Sequence, residues 1–191
     1  CRPLSDWNSG RDMSTHPIPD LSTEVNTETL GPTLDNTLNR TRVPHNARKK
    51  VMLIASSGGH WIEMTRLAEA FRDCHCDFVS TAPNLIAPFG DHPVVKITDG
   101  SRDSLRALTQ TFGQLWRLIR SRRPDLIVST GAAPGAIAMY IAKLFGIHTI
   151  WIDSVANSDV LSLSGRAVRP IVDLCLTQWP DLAKPDPSIQ Y

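Results

Sequence analysis

The chain has 191 residues, 41% of them hydrophobic and 20% charged, with a formal net charge of +1. That balance suits one globular domain with an ordinary core and gives no argument for nucleic acid as the main partner. No run approaches the roughly 18–20 apolar residues that span a bilayer; the longest, 132–142 and 147–152, are separated by Lys143 and Gly146.

Residues 1–48 carry Pro3, Pro17, Pro19, Pro32 and Pro44 among many Thr, Asn, Ser and Asp, with only scattered aliphatics. No helical or alternating period persists, so too little apolar surface is available to offset the entropy of ordering. This stretch is expected to be a disordered or loosely attached leader. Arg40, Arg42, Arg48, Lys49 and Lys50 form a basic approach to the first strand, either a solvated linker or a segment drawn to anionic lipid.

From Lys50 the pattern becomes strand–helix–strand. Val51-Met52-Leu53-Ile54-Ala55 is a continuous apolar run, as in a parallel strand covered on both faces. Ser56-Ser57-Gly58-Gly59 breaks it, and Ile62, Met64, Leu67, Ala68 and Phe71 recur at mostly helical spacing. A strand, a glycine turn and a helix leave backbone N–H groups facing out of the helix N-terminus, a place that favours an oxyanion or phosphate. His60 sits at the mouth of that turn. The plainer reading is a turn that needs small residues, with His60 solvated or capping; no P-loop lysine is present.

Residues 77–80 read as a second strand and 94–97 as a third. A helix is expected over 102–121, with Leu105, Leu108, Phe112, Leu115 and Ile119 as its buried stripe. Arg102, Arg106, Arg117 and Arg120 lie elsewhere on it, and an exposed Trp116 would suit either a solvated face or a membrane surface. Arg123-Pro124 ends this helix. Asp125–Thr130 is a fourth strand, leading into the turn Gly131-Ala132-Ala133-Pro134-Gly135 and a helix to about Phe145 that stops at Gly146. A fifth strand is expected over 148–152, a short helix over 164–171 and a sixth strand over 173–177, before Gln178-Trp179-Pro180.

Alternating strands and helices imply an α/β fold with a doubly wound, mostly parallel sheet. Ligands of such sheets bind outside the carboxyl ends of the strands, which gathers 56–60, 130–135 and 153–157 on one rim. Cys1, Cys74, Cys76 and Cys175 are the cysteines. Cys74-His75-Cys76 invites a metal reading, but no second cluster completes a tetrahedral site, and free thiols are expected.

The ordered set SSGGH, RPDLIVSTGAAPG, IDS, SLSGR and DLCLTQWP resembles the N-terminal, Rossmann-like half of a GT-B glycosyltransferase. The family most resembled is that of the membrane-associated subunit of the two-part UDP-N-acetylglucosamine transferase of dolichol-linked oligosaccharide synthesis, with bacterial relatives in exopolysaccharide assembly. The resemblance covers about residues 49–182 and implies an acceptor-binding domain there, with 183–191 as a C-terminal tail. It implies a hexosyltransferase subunit at the cytoplasmic face of a membrane, peripheral, without a spanning segment of its own. The lipid-linked saccharide acceptor would bind to this chain. A small catalytic partner would hold most of the UDP-sugar, and a nucleotide-binding domain needs about 100–150 residues more, so the chain is expected to be inactive alone.

By the same resemblance, Ser57, Gly58 and Gly59, with Gly131 and Ala132, face the acceptor and its diphosphate. His60 orients or deprotonates the acceptor hydroxyl, or is a structural cap. Asp153 stands where relatives of the fold more often show Glu; it accepts a sugar hydroxyl, serves as base, or is a turn carboxylate. Asn157 is a candidate for acceptor contact and Arg166 for phosphate contact. Trp179 and Pro180 close the cleft or meet the partner. No metal and no cofactor is expected, the UDP-sugar being a substrate. The alternatives are a non-catalytic nucleotide- or sugar-binding scaffold and a small enzyme acting alone on nucleotide sugars.

Overall fold

The computed structural model describes residues 48–90, 93–100 and 104–191. The expected leader up to residue 47, with Cys1, Arg40 and Arg42, and also Arg102, lies outside the described residues. The elements are β1 (Lys50–Ala55), α1 (Gly59–Leu67), β2 (His75–Ser80), β3 (Val95–Lys96), α2 (Leu105–Arg122), β4 (Leu126–Ser129), α3 (Ala132–Leu144), β5 (His148–Ile152), α4 (Leu163–Val168), β6 (Leu174–Leu176), α5 (Pro180–Ala183) and β7 (Ile189–Gln190).

The seven strands form one sheet in the order β3-β2-β1-β4-β5-β6-β7, every neighbouring pair parallel. The order reverses between β1 and β4, which makes their carboxyl ends the switch point of a doubly wound fold. The unalternating apolar run of β1 follows from burial on both faces. Met52 and Ile54 pack with Leu115, Ile119, Ile127, Met139 and Trp151 under α2 and α3. Val51, Leu53 and Ala55 pack with Trp61, Met64, Phe78 and Val128 under α1.

The expected elements are present, with four differences. On α1 the buried residues are Trp61, Glu63 and Met64, while Ile62 faces solvent. On α2 the buried residues are Thr111, Leu115 and Ile119; Leu105 and Phe112 are exposed and Leu108 is only half buried. The helix is rotated because Thr111 Oγ1 donates to the Thr98 carbonyl at 2.8 Å and packs on Gly100, where a Cβ would meet that oxygen at 3.1 Å. Trp116 is half buried rather than exposed, stacked on Phe112 at 5.9 Å and tilted against Phe145 at 4.9 Å. Finally, the tail of 183–191 is not free of the domain. Ile189 and Gln190 extend the sheet as β7 beside Cys175 and Leu176.

α3 ends as its sequence suggests. Gly146 takes the left-handed conformation (φ 66°) while the Ile147 N–H reaches back to the Ala142 carbonyl at 3.0 Å, closing the helix with the residue that meets no Cβ penalty there. Cys74, Cys76 and Cys175 are free thiols; burial pushes Cys76 up to about 12 and Cys175 up to about 11. Among the described residues no group of three or more His, Cys, Asp and Glu is placed to hold a metal ion, and no helix is long and apolar enough to cross a membrane.

Candidate functional site

Two helices begin at the switch point without a side-chain cap. α1 follows Gly58 (φ 73°) and α3 follows Gly131 (φ 136°), and neither N-cap residue offers a side-chain acceptor to the first turn. The opening N–H groups of a helix have no partner within it, and the positive end of the helix dipole adds to their attraction for an anion. Ala132, the first residue of α3, is held at φ 64°, a conformation costly for a residue with a Cβ and concentrated at functional positions.

His60 joins these two turns. Its Nδ1 lies 2.9 Å from the Thr130 carbonyl, and the Thr130 hydroxyl donates to the His60 carbonyl at 2.8 Å. A carbonyl only accepts, so Nδ1 carries the proton and Nε2 the lone pair. The ring lies against Gly131, where a Cβ would come within 2.5 Å of its Cε1. Glycine is therefore required at 131 both by backbone angle and by contact with His60.

A cavity of about 290 Å³ opens beside the ring, lined by His60, Ala132, Ser154, Ala156, Asn157, Ser162, Leu163 and Ser164. Of the residues singled out in the sequence, His60, Ala132 and Asn157 meet there. Ser57, Gly58 and Gly59 precede His60 and are exposed; the Ser57 N–H is engaged by Thr81 Oγ1 at 3.0 Å. Arg166 is exposed on α4 and does not line the cavity.

Asp153 is 1% exposed, and both of its carboxylate oxygens are occupied. Oδ1 accepts from Trp151 Nε1 at 3.1 Å and Ser162 Oγ at 2.6 Å; Oδ2 accepts from the Ser162 N–H at 2.8 Å. Gly165 presses on the same carboxylate, since a Cβ there would lie 2.6 Å from Oδ1. The carboxylate thus ties the end of β5 to the start of α4, where Ser162 Oγ accepts from the Gly165 N–H at 2.8 Å. Trp179 donates its indole N–H to the Val155 carbonyl at 2.8 Å, and Pro180 opens α5. The turn after β5 therefore contacts the 177–180 segment directly.

Sequence reasoning missed Glu63, and it placed Thr130 and Ser154 on the rim without singling them out. Ser154 and Thr130 follow strand ends and lie within the IDS and RPDLIVSTGAAPG motifs. Glu63 gave no signal, because a glutamate in the first turns of a helix ordinarily faces water. Here it is buried, its Oε1 accepting from Ser154 Oγ and from the Val155 N–H, both at 2.9 Å.

The family described as "Oligosaccharide biosynthesis protein Alg14 like" matches residues 94–191, a span that includes Gly131, Ala132, Asp153, Asn157, Arg166, Trp179 and Pro180 but not Ser57–His60. The chain is 27% identical over 168 residues to the UDP-N-acetylglucosamine transferase subunit ALG14 of Eremothecium gossypii, covering 71% of this chain and 75% of that protein. It is 27% identical over 174 residues to the corresponding subunit of Schizosaccharomyces pombe, covering 75% and 82%. Among solved structures, MurG of Acinetobacter baumannii is similar with a TM-score of 0.56 at 16% identity, over 70% of this chain and 43% of that one. The UDP-N-acetylglucosamine 2-epimerase of Rickettsia bellii is similar with a TM-score of 0.58 at 12% identity, over 75% and 44%. At such identities the likeness is one of fold, and the chain spans less than half the length of these two structures.

Proposed function

The chain belongs to the Alg14-like family of oligosaccharide biosynthesis proteins, and from that premise we propose that it is the acceptor-binding subunit of a UDP-N-acetylglucosamine transferase in lipid-linked oligosaccharide synthesis. A second, small chain supplies the UDP-sugar site. The observation that carries this reading is the pairing of two uncapped helix N-termini, at Gly58 and Gly131, with His60 held between them beside a cavity that Asn157 and three serines help to line.

In this reading the N–H groups of the two turns receive the acceptor's diphosphate, with Arg166 at its outer edge. Asn157 meets an acceptor sugar hydroxyl. His60 Nε2, bearing the lone pair, takes the proton of the attacking hydroxyl as a C–O bond forms at the donor's anomeric carbon. The bond to UDP breaks and UDP leaves with the electron pair. General-base help of this kind contributes about 10²–10⁴-fold. Asp153 acts by fixing the β5–α4 turn, since its oxygens are engaged within the protein. Trp179 and Pro180 stand at the edge that meets the partner.

The exposed Leu105, Phe112 and Leu144, flanked by Arg106, Arg117 and Arg120, support a peripheral site on the cytoplasmic membrane surface.

The test is reconstitution. The full chain is purified with and without the UDP-binding chain that co-purifies from its native cells, and transfer from UDP-N-acetylglucosamine to a lipid-diphosphate acceptor is measured. Transfer by the pair and none by either chain is the expected result. Transfer by this chain alone overturns the split. Binding of the acceptor by a pair that never transfers favours a nucleotide- or sugar-binding scaffold.

A further inference from the structure

Glu63 lies one turn beyond His60 on α1 and is 8% exposed. A buried carboxylate is costly unless both oxygens find donors or a positive charge. Its two oxygens are treated differently. Oε1 holds the turn after β5 through Ser154 Oγ and the Val155 N–H. Oε2 is buried with no hydrogen-bond partner among the described residues, and it lies 3.8 Å from His60 Nδ1. That separation is too long for a hydrogen bond, and the Nδ1 proton is already directed to the Thr130 carbonyl. It is short enough for charge to act.

The orphan oxygen has a natural counterpart only when His60 is charged. Around the ring stand the Thr130 carbonyl and Gly131 from the β4–α3 turn, and Ala132, Ser154 and Asn157 around the cavity. None carries a charge, and Glu63 is the only ion-pair contact of His60 among the described residues.

We propose that Glu63 is a positioning residue for His60: one carboxylate oxygen clamps the Ser154–Val155 turn onto α1, and the other stabilises the imidazolium formed when Nε2 takes the acceptor proton. This rests on the transferase reading for its chemistry. The proton moves from acceptor oxygen to Nε2, the new glycosidic bond replaces the bond to UDP, and Glu63 itself exchanges no proton. The clamp has a further reach. The Val155 N–H is held by Glu63 while the Val155 carbonyl accepts from the Trp179 indole, so one residue links His60's helix to the 177–180 edge.

Glu63→Gln separates the two duties, since the amide oxygen still accepts from Ser154 and Val155 while the charge is gone. The imidazole signals of His60 are followed by NMR in the full chain with histidine labelled, assigned by their loss in His60→Ala. Glu63→Gln is expected to shift the His60 ring signals at fixed pH, and Glu63→Asp, which withdraws the charge by one methylene, to shift them less in the same direction. Glu63→Asp carries the measurement if the glutamine variant does not fold. In the reconstituted pair, kcat is expected to fall about tenfold or more while KM for the acceptor stays within about twofold. Unmoved His60 ring signals overturn the proposal, as does a rise in KM with kcat intact. Shifted His60 ring signals in a pair that transfers no sugar leave the Glu63–His60 link standing and fail the transferase reading instead.

Discussion

His60 and Thr130, 70 residues apart in sequence, hold each other twice: the ring Nδ1–H donates to the Thr130 carbonyl and the Thr130 hydroxyl donates to the His60 carbonyl. The pair fastens the start of α1 to the end of β4 across the switch point, and it fixes which ring nitrogen is free. His60→Ala is expected to lower transfer by the reconstituted pair about 100-fold or more in a chain that still folds, less stable by about the 1 kcal/mol of its lost bond. Thr130→Val keeps the shape and loses one of the two bonds, at about 1 kcal/mol. Unchanged turnover in His60→Ala would leave the histidine a structural tie only. Both variants are read by steady-state kinetics and urea unfolding.

Two glycines of the β4–α3 turn fail for different reasons when given a Cβ. Gly131→Ala combines an unfavourable φ of 136° with a clash on the His60 ring, so turnover is expected to fall along with stability. Gly135 packs on Ser129 and Trp151, where a Cβ would overlap the Ser129 hydroxyl and come within 3.3 Å of the indole. Gly135→Ala therefore lifts α3 off the sheet, at about 1–3 kcal/mol, without touching His60. Urea midpoints and transfer rates distinguish them: the first variant loses more activity than its stability accounts for.

Leu115 is fully buried beneath α2 whereas Leu108 is half buried. Leu115→Ala is expected to cost about 2–5 kcal/mol, and Leu108→Ala distinctly less. Equal costs in urea titrations would mean that α2 is rotated from the position set by Thr111.

Asp173 anchors α3 and β5 to the start of β6. Lys143 Nζ donates to it at 3.0 Å, and the Thr149 N–H and hydroxyl donate at 2.8 and 3.0 Å. These bonds, that of Lys143 foremost, hold its carboxyl below the usual carboxylate range. A group whose folded pKa is depressed adds stability above its unfolded value, about 3.9 for aspartate, and loses it as pH falls through the folded value. Stability is thus expected to drop on acidification below about pH 4, with part of that drop absent in Asp173→Asn. Urea midpoints taken from pH 7 to pH 3 check this; identical slopes would remove Asp173 from the acid response.

The basic and apolar face of α2 predicts salt-dependent binding to anionic vesicles. Arg117→Glu with Arg120→Glu is expected to weaken binding of the full chain to phosphatidylserine-containing vesicles by about tenfold or more, at roughly 1 kcal/mol per arginine near the surface. Neutral vesicles serve as the control. Equal binding by native and variant chains would show that this face does not meet the lipid.

Much of the fold was legible because its signals are local. The uninterrupted apolar run of β1 announced a strand covered on both faces, and Gly58, Gly131 and Gly146 marked the turns that bound their helices. His60, Ala132 and Asn157 were expected on one rim from their places after strand ends, since a parallel sheet collects those ends there, and they line one cavity. Periodicity says that a helix has an apolar stripe but leaves its rotation to the neighbours it meets. On α2, the hydrogen bond from Thr111 to the Thr98 carbonyl turns the expected stripe, so that Leu115 and Ile119 are buried while Leu105 and Phe112 are not. On α1, Glu63 is inside and Ile62 outside because Ser154 and Val155, about 90 residues later, supply the donors that make burial of a carboxylate tolerable. Asp153 was visible as an acid at a strand end, yet only its contacts with Trp151 and Ser162 disclose that both oxygens are occupied inward. β7 was illegible because two residues carry no period; the edge of β6 is what orders them. The sequence by itself determined where strands, turns and helices lie, through backbone preference and hydrophobic pattern. Tertiary structure alone decided which polar groups face each other, because their partners come from distant segments and their energies depend on burial.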